Sequence, residues 1–187
     1  MGIPFVDPTF LSSRECVQIR AAMDRGAIEA AEVLDDQMRL EEDVRRAASI
    51  EVDAATLRFV EDRLDGHRAA IAASCGATLT SREGASFLRY PEGGFYKPHR
   101  DRAWVSAWPD AARRQVAIVL FLNSARAADV PGAFDGGVLR LFLEAETTAP
   151  IDVHPREGTL VAFPADLLHE VTPVRDGTRD SIVDWFY

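Results

Sequence analysis

Cysteine occurs only twice in the 187 residues, at Cys16 and Cys75, too few to staple a fold with disulfides. Both fall in helical apolar patterns and are expected as buried reduced thiols rather than ligands. Lysine occurs once, at Lys97, so arginine carries nearly all of the positive charge. Acidic residues still prevail, and the formal net charge of −9 argues against a nucleic-acid backbone or an anionic membrane as the main partner. No apolar run approaches the ~20 residues of a membrane span, and no charged-then-apolar leader pattern follows Met1. A cytoplasmic protein is expected. Repeats, low-complexity tracts and Ser/Gly linkers are also missing. The remaining composition is that of one globular domain over residues 1–187, long enough to bury a proper core.

Residues 1–80 read as mainly helical support. Ser12 and Glu15 have the spacing of a capping box, which predicts a helix from there to about Met23. Asp53 can cap a second helix, in which Leu57, Val60, Leu64, Ile71 and Cys75 recur at helical spacing and Gly76 is the stop. After Ser81 the pattern changes to short apolar runs: Ala85–Tyr90, Val116–Leu122, Val138–Phe142, Ile151–Val153, Thr159–Phe163, Val171–Val174 and Ser181–Tyr187. Turn residues separate them, among them Pro91-Glu92-Gly93-Gly94, Pro131-Gly132, Asp135-Gly136-Gly137, Glu157-Gly158 and Asp176-Gly177. Strands following helices predict an α+β fold. Residues 81–187 form a sheet curled into a barrel or jelly roll, with the helices on one outer face.

His99 and Asp101 lie two apart in Tyr96-Lys97-Pro98-His99-Arg100-Asp101, and in extended backbone alternate side chains share a face. One strand end then offers an imidazole and a carboxylate to one ion. His169, at the start of a later apolar run, can supply a second imidazole. Two histidines and a carboxylate on one face of an octahedron leave three positions open, the arrangement of non-haem iron(II) oxygenases. The alternative for these residues alone is a hydrogen-bonded surface pair and a structural histidine. Arg179 stands ten residues after His169, past a turn, where an antiparallel hairpin would bring it beside the metal strand. A buried guanidinium without a protein carboxylate needs an anion and grips a carboxylate with two prongs. An open metal site beside such a clamp suits a 2-oxo acid.

The segment Tyr90-Pro91-Glu92-Gly93-Gly94-Phe95-Tyr96-Lys97-Pro98-His99-Arg100-Asp101 resembles the Tyr-x-x-Gly…His-x-Asp segment of prolyl-4-hydroxylase-type 2-oxoglutarate dioxygenases. Arg114–Asn123 is similar to their next core strand, Gly136–Phe142 to their Gly-Gly-x-Leu strand, and His169–Val174 with Gly177, Arg179 and Trp185-Phe186 to their closing segment. The resemblance runs from about residue 84 to 187. It implies a double-stranded β-helix and iron(II) on His99, Asp101 and His169. It further implies 2-oxoglutarate held by Arg179, in a pocket lined by Tyr90, Val171 and Trp185. O2 is then consumed, succinate and CO2 are released, and an unactivated C–H bond is hydroxylated; ascorbate is admitted as a reductant. Related halogenases lack the carboxylate, so Asp101 favours hydroxylation.

One position departs from the family. Several relatives carry a tyrosine where this chain has Phe121, and its hydroxyl helps bind the distal carboxylate. Ser181 lies two residues after Arg179 and shares its strand face, so its hydroxyl is a candidate replacement. Tyr96, Trp104 and Trp108 are candidates to contact substrate, as is the loop 124–134. His67 and His154 lack ligand-spaced neighbours and are assigned to structure. The family spans prolyl peptides, other protein side chains and free small molecules, and the oligomeric state is open. Two other readings remain: a non-catalytic metal or 2-oxoglutarate sensor, and a zinc hydrolase on the same ligands. For the latter Glu170, next to His169, is the nearest general base, and strand alternation turns it away from the metal face.

Overall fold

The structure, a computed structural model, describes residues 4–31, 43–104, 108–125, 132–143 and 149–187. Strand β1 (Phe5–Asp7) precedes helix α1 (Ser13–Met23), and strands β2 (Ile28–Ala30), β3 (Arg45–Arg46) and β4 (Ala48–Ile50) precede helix α2 (Ala54–Cys75). Strands dominate the rest of the chain, beginning with β5 (Ser86–Tyr90), β6 (Phe95–His99), β7 (Val116–Phe121), β8 (Asp135–Gly136) and β9 (Leu139–Phe142). Then come β10 (Ile151–Val153), β11 (Leu160–Pro164), β12 (Leu168–Val171), β13 (Val174–Asp176) and β14 (Arg179–Phe186). A short 3-10 helix over Pro109–Arg113 leads into β7.

Both helices start and stop for local reasons. Ser12 and Glu15 cap α1 reciprocally: Ser12 Oγ accepts from the Glu15 amide at 3.4 Å and the Glu15 carboxylate accepts from the Ser12 amide at 2.8 Å. Asp53 accepts from the amides of Ala55 and Thr56, and Gly76 closes α2 in the left-handed region at φ 62°.

The strands form a seven-stranded sheet, in the order β1-β11-β7-β14-β5-β4-β2, and a five-stranded sheet, β10-β9-β12-β6-β3; β13 and β8 form a separate pair. Every pairing is antiparallel. Strand β7 is buried along its whole length because it is covered on both faces. Its Val116, Ile118 and Leu120 pack with Cys16, Ile19, Val60 and Leu64 of the helices. Its Ala117, Val119 and Phe121 pack with Leu139, Leu141 and Phe163 between the sheets. Each Val, Leu, Ile or Phe among them contributes about 1.5–3 kcal/mol on full burial. This is the expected double-stranded β-helix with helices on one outer face. Burial pushes the Cys16 thiol up to about 12, which makes it inert.

Three expectations change. Residues 1–80 are not helical support alone, since β1, β2, β3 and β4 extend both sheets at their edges. These strands are two or three residues long and carry no alternating apolar pattern; the exposed Ile28-Glu29-Ala30 is extended because it pairs with β4. The apolar run Val171–Val174 is divided between β12 and β13. Pro173 has no N–H to donate to a ladder, and the Thr172 amide bonds instead to Val138 O at 3.0 Å. Finally, β14 does not return as a hairpin on β12. It pairs with β5 and β7 in the larger sheet, so Arg179 reaches the site from the opposite sheet.

Candidate active site

Antiparallel register brings the distant metal candidates together. His99 ends β6 and His169 lies opposite it in β12, their rings 4.2 Å apart between centroids. Asp101, just past the end of β6, places Oδ1 3.4 Å from His99 Nε2 and Oδ2 3.5 Å from His169 Nε2. One donor atom from each of the three lies within 4.8 Å of the others. Each imidazole has its Nδ1 2.8 Å from a backbone carbonyl, Lys97 O for His99 and Leu167 O for His169. A carbonyl only accepts, so Nδ1 carries the hydrogen and the Nε2 lone pair faces Asp101 and the cluster interior. Tyr96 stacks on the His99 ring at 3.4 Å, and Phe163 meets the His169 ring edge-on at 4.8 Å.

Electrostatics favours a neutral imidazole at His169. Burial lowers His169 to about 4, against the pull of Asp101, so the imidazole is neutral near pH 7. Burial alone would raise the Asp101 carboxyl, but the imidazoles of His169 and His99 outweigh it and hold the group well below the usual range. The Trp185 indole N–H adds a weaker pull on Asp101 from outside hydrogen-bond geometry. Two imidazoles and one carboxylate with converging donor atoms fit a hard-to-borderline divalent cation such as iron(II).

A cavity of about 550 Å³ lies between the sheets, and His99, Asp101 and His169 line it together with Arg179. Arg179 is 1% exposed, and burial lowers its pKa. Its Nη1 donates to Ser181 Oγ at 2.9 Å, and its Nε has no hydrogen-bond partner among the described residues. Among the described residues no carboxylate pairs with it. The guanidinium lies 4.9 Å from the Tyr90 ring and 5.3 Å from the Phe121 ring, and Phe121 is the register partner of Ser181. Asp180, next in sequence, faces the other way and anchors β14. It accepts from Arg20 Nε at 2.9 Å and Arg89 Nε at 2.8 Å, while its amide donates to Asn123 Oδ1 at 2.9 Å. A guanidinium held this rigidly without a protein anion suits a carboxylate ligand.

Gly137 makes room for that guanidinium. At φ 59°, a Cβ there would lie 2.8 Å from Arg179 Cδ and 2.9 Å from Phe134 Cε2. Gly137→Ala should destabilise the fold by about 1–3 kcal/mol through overpacking. It should also raise the KM for 2-oxoglutarate by displacing Arg179. Denaturant melts and cosubstrate titration check this; wild-type values for both would show that the arginine has slack.

Tyr90, Tyr96, Val171, Trp185 and Trp108 line the cavity. Trp104 does not: it is 77% exposed and is neither cavity wall nor packing against the barrel. The intervening residues 105–107 lie outside the described residues, as do 126–131 of the loop 124–134. At the far end of that loop Phe134 is buried in the apolar cluster around the cavity. His67 is structural, its ring edge-on to Phe10 and its Nδ1 2.9 Å from Arg63 O, and His154 is exposed. Glu170 points away from the cluster and accepts from Arg140 at 3.2 Å, so it cannot serve as a general base beside the cluster. The sequence did not single out Arg45, Glu83 or Arg114, which also line the cavity. Arg114 heads an apolar run beside the exposed Arg113, and nothing in the residue order distinguishes the two.

Residues 85–187 match the 2OG-Fe(II) oxygenase superfamily, and the chain belongs to that family. A PKHD-type hydroxylase of Nitrobacter winogradskyi is 34% identical over 102 residues, covering 53% of this chain and 41% of that protein. One from Prochlorococcus marinus is 29% identical over 102 residues, covering 54% and 40%. The chain thus spans about two-fifths of the length of these curated relatives. A prolyl-4-hydroxylase of Pseudomonas putida superposes with a TM-score of 0.74 at 28% identity, over 98% of this chain and 91% of that one. A prolyl hydroxylase of Trichoplax adhaerens, solved with a hypoxia inducible factor peptide, shares the fold with a TM-score of 0.76 at 18% identity, over 98% and 83%.

Proposed function

We propose that the chain is an iron(II)- and 2-oxoglutarate-dependent hydroxylase acting on a C–H bond of a peptidyl-proline type substrate. His99, Asp101 and His169 hold the metal. Arg179 and Ser181 take the distal carboxylate of 2-oxoglutarate, above Phe121 and within walls formed by Tyr90, Val171 and Trp185. Residues 1–187 act as one oxygenase unit in which 1–80 support the core 81–187. The observation that carries this reading is a buried guanidinium, without a protein anion among the described residues, in the same cavity as a cluster of two imidazoles and one carboxylate.

When bound, iron(II) and 2-oxoglutarate supply the oxidative chemistry: O2 is split between succinate and the substrate, CO2 leaves, and a C–H bond becomes C–OH. The chain's own residues orient and exclude. The carbonyls of Lys97 and Leu167 fix both imidazole tautomers, and the carboxylate of Asp101 favours hydroxyl over halide transfer. The apolar walls keep bulk water from the reacting centre. A prolyl substrate draws support from the Pseudomonas putida prolyl-4-hydroxylase. Trp108 and Tyr96 are the substrate-side walls.

Ser181→Ala should raise the KM for 2-oxoglutarate about two- to tenfold, the worth of one neutral hydrogen bond, with kcat little changed. An unchanged KM removes Ser181 from the clamp. The substrate class is tested by incubating prolyl peptides with iron(II), 2-oxoglutarate and O2. Gain of one oxygen atom per succinate formed supports the reading. Succinate release with every peptide unmodified rejects the peptidyl-prolyl substrate, and oxygen-independent hydrolysis rejects the oxygenase.

A further inference from the structure

Asp101 is the one member of the cluster that no strand holds. His99 and His169 face each other in a ladder, whereas Asp101 comes after the end of β6. Side chains and turns pin its segment instead. Arg100 Nη1 donates to Asp166 O, and the Arg102 amide donates to Ala165 O at 2.8 Å. The carbonyl of Asp101 itself accepts from Arg114 Nη1 at 3.0 Å.

Arg114 is 5% exposed and uses its guanidinium in three directions. Its Nε and Nη2 donate to the two carboxylate oxygens of Glu83 at 2.7 and 2.5 Å. Its Nη1 reaches Asp101 O, and its face lies 3.8 Å from the centroid of Trp185. Glu83 is fixed in turn, accepting from the Tyr187 hydroxyl at 2.9 Å while its amide donates to Trp185 O at 2.9 Å. Arginine's rigid planar fork allows all three contacts at once, and an ammonium does not.

We infer that Arg114, clamped by Glu83, is a positioning residue for the metal carboxylate. It sets Asp101 through the backbone carbonyl, and its face holds the Trp185 ring, which lines the same cavity as the cluster. The inference rests on the reading of His99, Asp101 and His169 as the iron site. It assigns Arg114 to the metal rather than to substrate, since each of its three guanidinium nitrogens already donates to Glu83 or Asp101. The effect belongs to the outer shell of a metal site, whose partners typically change affinity about ten- to a hundredfold.

The test is titration of wild type, Arg114→Lys and Glu83→Gln with cobalt(II) alone, followed by the visible d–d absorption, with a thermal melt of each metal-free protein. Arg114→Lys keeps the charge against Glu83 but loses the bridge to Asp101 and the stacked face. Its cobalt(II) Kd should rise about ten- to a hundredfold with a changed d–d envelope, while the metal-free melt stays near that of wild type. Glu83→Gln should shift affinity and spectrum in the same direction by less, and it carries the test should Arg114→Lys fail to fold. Cobalt(II) affinity and spectrum like wild type in the folded variant overturn the assignment, even if KM for a substrate rises. A wild-type protein that takes up no cobalt(II) overturns the iron-site reading itself, and this inference with it.

Discussion

Arg179→Met should weaken 2-oxoglutarate binding by at least about a hundredfold, the ~3 kcal/mol expected when a buried charge loses its partner. It should nevertheless leave the ligand-free protein as stable as wild type or more so. The two expectations have one cause. Among the described residues Arg179 has an unsatisfied Nε, the Ser181 hydroxyl against Nη1 and the Tyr90 and Phe121 rings beside it, so the ligand-free fold bears the desolvation of a cation that no protein anion offsets. Burial depresses its pKa for the same reason. Methionine fills similar length without charge, at the cost of one hydrogen bond worth about 1 kcal/mol. Denaturant melts read the stability, and the rise in melting temperature on adding iron(II) with 2-oxoglutarate reads the binding. A variant much less stable than wild type would mean that a protein anion already satisfies Arg179.

His99→Ala should reduce turnover to background and remove tight metal binding while the fold survives. The His99 side chain is 15% exposed at the end of β6, and besides Asp101 and His169 of the cluster it meets the Tyr96 ring and one carbonyl, the latter two contacts together worth about 1–2 kcal/mol. Its chemical worth is larger, because the remaining imidazole and carboxylate cannot define a facial set of three. Glu170→Gln serves as the contrasting variant. Glu170 pairs with Arg140 on the outer face and should leave turnover at wild-type level. A hydrolase that used Glu170 as its base would lose activity there instead. Metal content by atomic emission and succinate release, measured on both variants, separate these outcomes.

Much of the site was legible because it obeys strand geometry. His-x-Asp at a strand end, His169 in a later strand and Arg179 at the head of the last one all depend on alternation, which sequence displays directly. Ser181 was legible for the same reason, two residues from Arg179 on one face. The hidden part depends on which strands become neighbours. Arg179 approaches from the sheet opposite β12, which strand order fixes and local pattern does not. The short strands β1 to β4 carry no alternating signal, and their pairing partners impose their extended state. Arg114 and Glu83 are charged residues at the ends of ordinary runs, and only their convergence beneath Asp101 and Trp185 gives them a task. Trp104 misled because an aromatic side chain beside a metal segment is as easily turned to solvent as to the cavity, and here it is 77% exposed.

The most direct test is an anaerobic titration of the protein with iron(II) and then 2-oxoglutarate, watched in the visible region. A weak charge-transfer band should appear only when both are present, saturate at one equivalent of each, and fail to form in His99→Ala. Its absence from wild-type protein loaded with iron(II) and excess 2-oxoglutarate would contradict the assignment of the cluster and of Arg179 together.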